Sequence, residues 1–564
     1  MDIEIKKDKE NLVELLNFTD IKKNIILNSL CSSNIFYKPI DISDDIFKDT
    51  EIDKWISNLP VLEGSKVLIK NIIRNPINNL DILKKRQLSY TDYDLDFSLL
   101  KEYEDDILWL YNLNDNFKTN SLVYSLFPSG YLISYINNLD IILEIYHIYK
   151  IYFTPINIII YPLVSLFAPL YYIKKYLKFN ISIKTYFTLL YNFIKLLFSN
   201  SGGIKIFILK VITISFYLFL FVYNIYQILE YSYLLYNTRD KLYNRLNNLI
   251  SFLNESRYIL NKINITYIQQ FINIKPYDIN LKLNNTMSSI YKLWKDKSMK
   301  NYISNILLSI YTVDIINSIN KLKNRRNWCL TDYNAFHIKL WNMKNPLLSS
   351  EQIGNPIDLS KNIIITGPNA AGKTTYVKSI LSNIILSQTF GIANAIKAHV
   401  KPYDNILSLM RIEDILGCKS YFEAEAEYCN TMMKNALYLS ENNMNGLYLM
   451  DEPMHSTPPT EGISTAFAVA EYIGNLKGID IILTTHFHKL TLLEDIYPDK
   501  FINLCVNAIP NTYNDGFIFP YNINRGYSYQ SIAIELLNSK HFPHSVIQSA
   551  INMKNKLYTE INSR

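Results

Sequence analysis

The sequence predicts a multidomain protein, with a mostly α-helical region followed by an α/β domain built on a parallel sheet. Three observations carry this. Charged and apolar residues mix at helical spacing over residues 1 to about 145 and again over 230–325. From about 336 the pattern changes to short apolar runs alternating with helix-like stretches. Asn362–Thr366, Gly446–Met450 and Asp480–Thr485 are such runs, and they have the length of buried parallel strands. Finally, 564 residues exceed one ordinary domain and suggest three to four at about 150 residues each.

Taken in chain order, residues 1 to about 145 read as helices with a break at Asn75-Pro76. Ile151–Ile173 then runs 23 positions without a charge, and Val211–Leu229 runs 19. A bilayer's hydrocarbon core takes about 20 residues of helix. The stretch between, 174–210, holds seven lysines (174, 175, 178, 184, 195, 205, 210) and no acid. Its Asn200-Ser201-Gly202-Gly203 reads as a turn. Pro155, Pro162 and Pro169 are expected to kink the first run.

Two readings fit this segment, a membrane hairpin and a hydrophobic helix pair buried in the protein. A two-pass hairpin with its lysines in the cytosol leaves both flanks on the far side, away from ATP. A re-entrant or interfacial hairpin with lysines on anionic headgroups removes that conflict. From 230 to 325 long helices are expected, and Phe336–Trp341 reads as a strand entering the α/β domain.

Composition excludes several classes. Hydrophobic residues are 49% and charged residues 19%, so the chain is not disordered as a whole. The net charge of +6 over this length does not by itself identify a nucleic-acid partner. The 44 Tyr, and only 10 Arg among 57 basic residues, follow an AT-rich codon bias. Five scattered cysteines without a CxxC give neither a disulfide framework nor a zinc site, and point to a reducing compartment. The charged start, Met1-Asp2-Ile3-Glu4, lacks the pattern of a cleaved secretory signal.

The chemistry sits in one motif set. Gly367-Pro368-Asn369-Ala370-Ala371-Gly372-Lys373-Thr374 fits GxxxxGK[ST] between an apolar strand and a helix-like run. Small residues let successive backbone N–H groups close around phosphate oxygens, and the helix N-terminus adds positive potential. In such a loop Lys373 reaches the β- and γ-phosphates of ATP, and the Thr374 hydroxyl ligates Mg²⁺. About 80 residues on, Leu447-Tyr448-Leu449-Met450 ends in Asp451, suited to the Mg²⁺ shell, and Glu452, suited to polarising the attacking water. A third strand ends at His486, placed to sense the γ-phosphate.

These residues resemble the ATPase domain of the MutS family, within the wider ABC ATPase class. The stretches concerned are TGPNAAGKTTYVKSIL, EDILGCKSYFEAEAEY, LYLMDEPMHSTPPTEG and LTTHFHKL, and then Arg525–Ser531 with Phe542-Pro543 as a helical tail. The likeness is specific over about 336–555 and weaker at IIRNPINNLDILKKRQ (72–87), which resembles the start of the family's helical core. The resemblance implies that Gly367 to Thr375 bind phosphates, Thr374 and Asp451 hold Mg²⁺, Glu452 is the catalytic carboxylate and His486 the switch histidine. It places Ser420 at the signature serine that contacts the γ-phosphate of a second subunit, which implies a homodimer. It places Tyr521 near an adenine-stacking position and Asn355-Pro356 beside the base.

The departures are also informative. The resemblance implies that the mismatch-reading and connector domains are absent, and Pro453–Pro459 stands where the family has a Gly-rich turn. The apolar pair occupies the slot of the lever tips and DNA clamp. The expected organisation is a helical core-like region (1–150), an apolar hairpin (151–229), returning lever or core helices (230–335) and an ABC-type P-loop ATPase domain with a helical tail (336–564). The expected function is that of an intracellular, membrane-associated homodimeric ATPase with its ATPase domain facing the cytosol and membrane lipids as partners. The alternative is a repair or recombination ATPase that clamps duplex DNA, its apolar segment serving as a tether or buried pair. Two spans are too few for a transporter's substrate path.

Overall fold

A computed structural model describes residues 18–562, apart from 92, 94, 114–120, 131–132, 198–202, 275–282, 411–420, 456–457, 512–516 and 531. The chain forms two compact units, each assembled from separate stretches. One comprises residues 1–30, 98–258 and 276–307, and the other 31–97, 259–275 and 308–564. The sequence reading divides the chain linearly at 150, 229 and 335. Periodicity cannot show that 31–97 and 259–275 gather with the C-terminal domain.

The second unit is organised by a sheet that has seven strands among the described residues. These are β1 (Asp41–Ile42), β2 (Asn362–Thr366), β3 (Asn405–Leu409), β4 (Gly446–Asp451), β5 (Ile479–Thr485), β6 (Phe501–Val506) and β7 (Ile523–Arg525). Their order is β1-β3-β4-β5-β2-β6-β7, parallel except for the β6/β7 pair. β2, β4 and β5 match the apolar runs to within a residue. β2 is buried at every position, which explains why it reads as a continuous apolar run. The expected strand at Phe336–Trp341 lies instead at Lys339–Met343, within a smaller five-stranded sheet. Phe336 is 94% exposed, so apolar character misplaced that boundary.

The same unit contains α1 (Glu63–Ile73) and α2 (Leu80–Leu88), separated at the expected Asn75-Pro76 break. The Asp314 carboxylate, on a helix spanning Lys297–Lys323, accepts the backbone N–H groups of Val61 (3.0 Å) and Leu62 (2.9 Å) at the start of α1. It thereby pairs the two backbone donors that lead into the helix.

The first unit is helical. It carries α3 (Thr154–Lys175), α4 (Ile183–Leu197) and most of α5 (Gly203–Asn261). The polar half of α5 packs on its neighbours. Arg239 and Tyr243 both bond Glu144, and Arg245 sits 3.9 Å from the centre of the Trp109 ring and 3.4 Å from Asp106. The apolar half is exposed, and Ile212, Tyr217, Phe219 and Val222 all face solvent. α5 and the Lys297–Lys323 helix are long and apolar enough to cross a membrane, but the latter's apolar window is 83% buried in the protein.

The Lys-rich stretch 174–210 contains a helix of its own, α4. α4 touches α3 through Tyr186 Oη, which donates to the Leu166 carbonyl (2.6 Å), and through the Phe167 and Phe187 rings. Of the three prolines, Pro155 directly follows a π-helical turn, Tyr149–Phe153, so its missing N–H falls inside a helical run that begins at Asp140. The axis bends by 52° between Ile158 and Ile160. Pro162 can neither bond nor clear the carbonyl four residues before it, and this puts the bend there. The turn expected at Asn200–Gly202 lies outside the described residues.

Candidate active site

The parallel register of the central strands assembles the site. Thr484 pairs with Asp451, and Thr485 with Thr366, so the C-terminal ends of β4, β5 and β2 lie in one row. The chain leaves β2 through Gly367–Gly372 and enters α8, spanning Lys373–Phe390. (α6 and α7 denote Ile265–Phe271 and Lys297–Lys323.) This is the strand–loop–helix order expected from the motif.

The loop's shape requires its glycines. Gly367 has φ +149°, and a Cβ there would lie 2.4 Å from the Val506 carbonyl oxygen. Gly372, at φ +94°, caps α8 with 3.0 Å between its would-be Cβ and the Tyr521 ring. Ala370 also takes a left-handed φ of 65°. Alternation of this kind turns backbone amides toward one concavity, and the first amides of α8 add to it.

Lys373 is 4% exposed. Its ammonium donates to the carbonyls of Gly367 (2.9 Å) and Pro368 (3.3 Å) and lies 3.6 Å from Glu452 Oε1. Burial pulls its pKa down, and the Glu452 and Asp451 charges partly restore it. Thr374 Oγ1 donates to Asp451 Oδ2 at 2.8 Å, while Thr484 Oγ1 donates to the other carboxylate oxygen.

Glu452 follows β4 in a left-handed conformation (φ 53°), held by its N–H to the Thr484 carbonyl at 3.0 Å. His486 Nε2 lies 2.6 Å from Glu452 Oε1 and 2.7 Å from Asn369 Oδ1, so one ring nitrogen joins the end of β4 to the loop. The Glu452 carboxyl is held below its usual range, chiefly by the His486 hydrogen bond and then by the His486 and Lys373 charges, against the opposing effect of burial.

Beside the loop opens a cleft of about 570 Å³, within the size range of small-molecule sites. Pro368 to Thr375 and Glu452 line it together with Met343, Leu348, Ile353 and Tyr521. Tyr521 is half exposed, and its carbonyl accepts the Asn355 side-chain amide at 2.8 Å. The Asn355 carboxamide oxygen accepts from Ile523 N–H (2.9 Å), fixing the wall that carries Tyr521.

The structure thus brings together Gly367 to Thr375, Asp451, Glu452, His486 and Tyr521. Ser420 lies outside the described residues. Sequence reasoning missed Thr484, which grips both Asp451 and Glu452, and Thr366, whose hydroxyl accepts Ser528 N–H at 2.9 Å. The adjacent threonines before His486 were the available signal. Among the described residues no cluster of three or more His, Cys, Asp or Glu could hold a metal by itself.

Residues 363–558 match the family model of MutS domain V. The chain is 30% identical over 239 residues to the DNA mismatch repair protein MutS of Petrotoga mobilis, covering 41% of this chain and 28% of that one. With MutS of Finegoldia magna it shares 31% over 275 residues, covering 46% and 31% respectively. With the DNA mismatch repair protein Msh2 of Dictyostelium discoideum it shares 32% over 202 residues, covering 35% and 21%. The matches span less than a third of each of these relatives.

Gly367→Ala places a methyl against a backbone carbonyl at a φ that L-residues avoid. It is expected to lower stability by about 1–3 kcal/mol, read by chemical denaturation. Unchanged stability would mean that the loop has another conformation.

Proposed function

The chain belongs to the MutS family through its domain V, and from that premise we propose that it is a homodimeric, membrane-associated ATPase. The observation that carries the ATPase reading is the convergence of Lys373, Glu452 and His486, within 2.6–3.6 Å of one another, at the mouth of a glycine-shaped loop. Phosphate oxygens take over the Lys373 ammonium from the loop carbonyls and meet the amides at the start of α8. Glu452 orients a water toward the γ-phosphorus and accepts its proton as the P–O bond to the ADP leaving group breaks. His486, already bonded to Glu452 and Asn369, fixes the carboxylate's direction.

The Thr374 hydroxyl and Asp451 carboxylate already meet at 2.8 Å, and a hydroxyl and a carboxylate beside phosphate oxygens are the hard oxygen donors Mg²⁺ takes. When bound there, Mg²⁺ neutralises charge on the phosphates. The cleft wall of Tyr521, Met343 and Ile353 suits an adenine ring. Ser420 completes the site of a second copy.

Glu452→Gln is expected to keep ATP affinity within about threefold and to lower the hydrolysis rate by about a hundredfold or more. Retained hydrolysis would remove Glu452 from this role. A second expected outcome concerns pH. His486 makes the largest contribution lowering the Glu452 pKa, so its loss lets that pKa rise. The acid limb of the residual rate in His486→Ala should move to higher pH, and a limb that stays in place contradicts the assignment.

The exposed apolar faces of α3, α4 and the first half of α5 support the membrane part. The 19 uncharged residues from Val211 rise about 28 Å, close to the thickness of a hydrocarbon core. The ATPase domain stays on the cytosolic side, where ATP is found. A duplex-DNA clamp is the second reading, favoured by the mismatch-repair relatives. ATPase rate with and without duplex DNA separates the two, since DNA stimulation fades with salt. The full chain should float with liposomes, and a chain deleted for 151–229 should not. Flotation of the deleted chain would refute membrane anchoring by this segment.

A further inference from the structure

The last carbonyls of a helix lack partners within it. At the C-terminal end of α8 five consecutive carbonyls are each taken by another element. Ser387 accepts from Tyr333 Oη, and Gln388 from the Ile77 N–H at 2.8 Å. Thr389 accepts from Arg86, Phe390 from Tyr90 Oη at 2.7 Å, and Gly391 from the Gln87 side-chain amide at 2.8 Å. Three of these donors sit on or just after α2.

Arg86 is the unusual member. Its guanidinium is 2% exposed, and its hydrogen-bond partners are carbonyl oxygens. Besides Thr389 they are Gln270 (3.1 Å) and Phe271 (3.0 Å), the final residues of α6. The Tyr37 and Phe271 rings lie 5.9 and 5.4 Å from its carbon. A buried cation is expensive, and here the negative ends of two helices, α8 and α6, meet around it. Burial lowers its pKa to about 10.

The other end of α8 is the Gly372–Lys373 turn of the candidate site. Eighteen residues of α-helix make a stiff element about 27 Å long. We propose that Arg86 is a positioning residue that fastens the carbonyl end of α8 to α6, so that phosphate binding at the start of α8 is felt by residues 265–274. The proposal rests on the ATP-site reading. Arg86 touches no reacting atom and acts only through α8.

The test uses the full detergent-solubilised chain carrying Glu452→Gln, which holds ATP without turning it over. ATP affinity is measured first, and then hydrogen exchange of the 265–274 amides with and without ATP. In this parent, ATP is expected to slow that exchange by about fivefold or more. Arg86→Met should bind ATP within about threefold of the parent and lose the ATP-dependent slowing, and Arg86→Lys, which keeps one donor, should recover part of it. Slowing in Arg86→Met equal to that in the parent overturns the proposal, as does its absence in a parent that binds ATP. If Arg86→Met does not fold, Gln87→Leu, which deletes the contacts to the Gly391 and Thr331 carbonyls, and Tyr90→Phe, which deletes that to the Phe390 carbonyl, should each reduce the same slowing. Full slowing in both also overturns the proposal. A parent that binds no ATP refutes the site reading itself, and this proposal with it.

Discussion

The site depends on one constraint, the parallel register of β4, β5 and β2. Because Thr484 stands beside Asp451 and Thr485 beside Thr366, the strand ends present hydroxyls and carboxylates in a single row at the mouth of the loop. A one-residue slip in any of these strands would turn each of its side chains to the other face of the sheet. The strands resist that slip because they are buried on both faces and packed by helices such as Pro459–Asn475. The geometry of Lys373, Glu452 and His486 is therefore inherited from the core.

The electrostatics follow from that placement. A buried ammonium is tolerated because two loop carbonyls and the Glu452 carboxylate surround it, and the carboxylate is held ionised in turn by His486 and Lys373. Each charge offsets the cost of burying its neighbour. At the opposite end of α8 the same logic recurs in reverse, with a buried guanidinium among helix carbonyls.

Much of this was legible in the sequence, and the reasons are physical. The loop and the strand-end carboxylates are contiguous in the chain, and their chemistry demands fixed residue types. β2, β4 and β5 are buried on both faces and so read as apolar runs. β1 could not be found that way, since two residues, Asp41 and Ile42, carry no period. Nor could the placement of α2, because Arg86 and Gln87 read as the solvated end of a helix until the carbonyls of Thr389 and Gly391 lie beside them. α4 was obscured by its lysines, although Lys184, Thr188, Asn192 and Lys195 fall on one stripe with apolar residues elsewhere around the helix.

The lysines of the apolar segment also set the sign of the protein's net charge. Residues 145–229 hold eight lysines and no acid, which exceeds the +6 of the whole chain. The rest of the chain, the C-terminal α/β domain included, is therefore net acidic when summed. The segment's excess of eight lysines favours approach to a polyanion, whether a duplex or an anionic leaflet. Removing the stretch reverses the sign of the molecule's net charge, so its excision alters how the remaining protein meets charged surfaces.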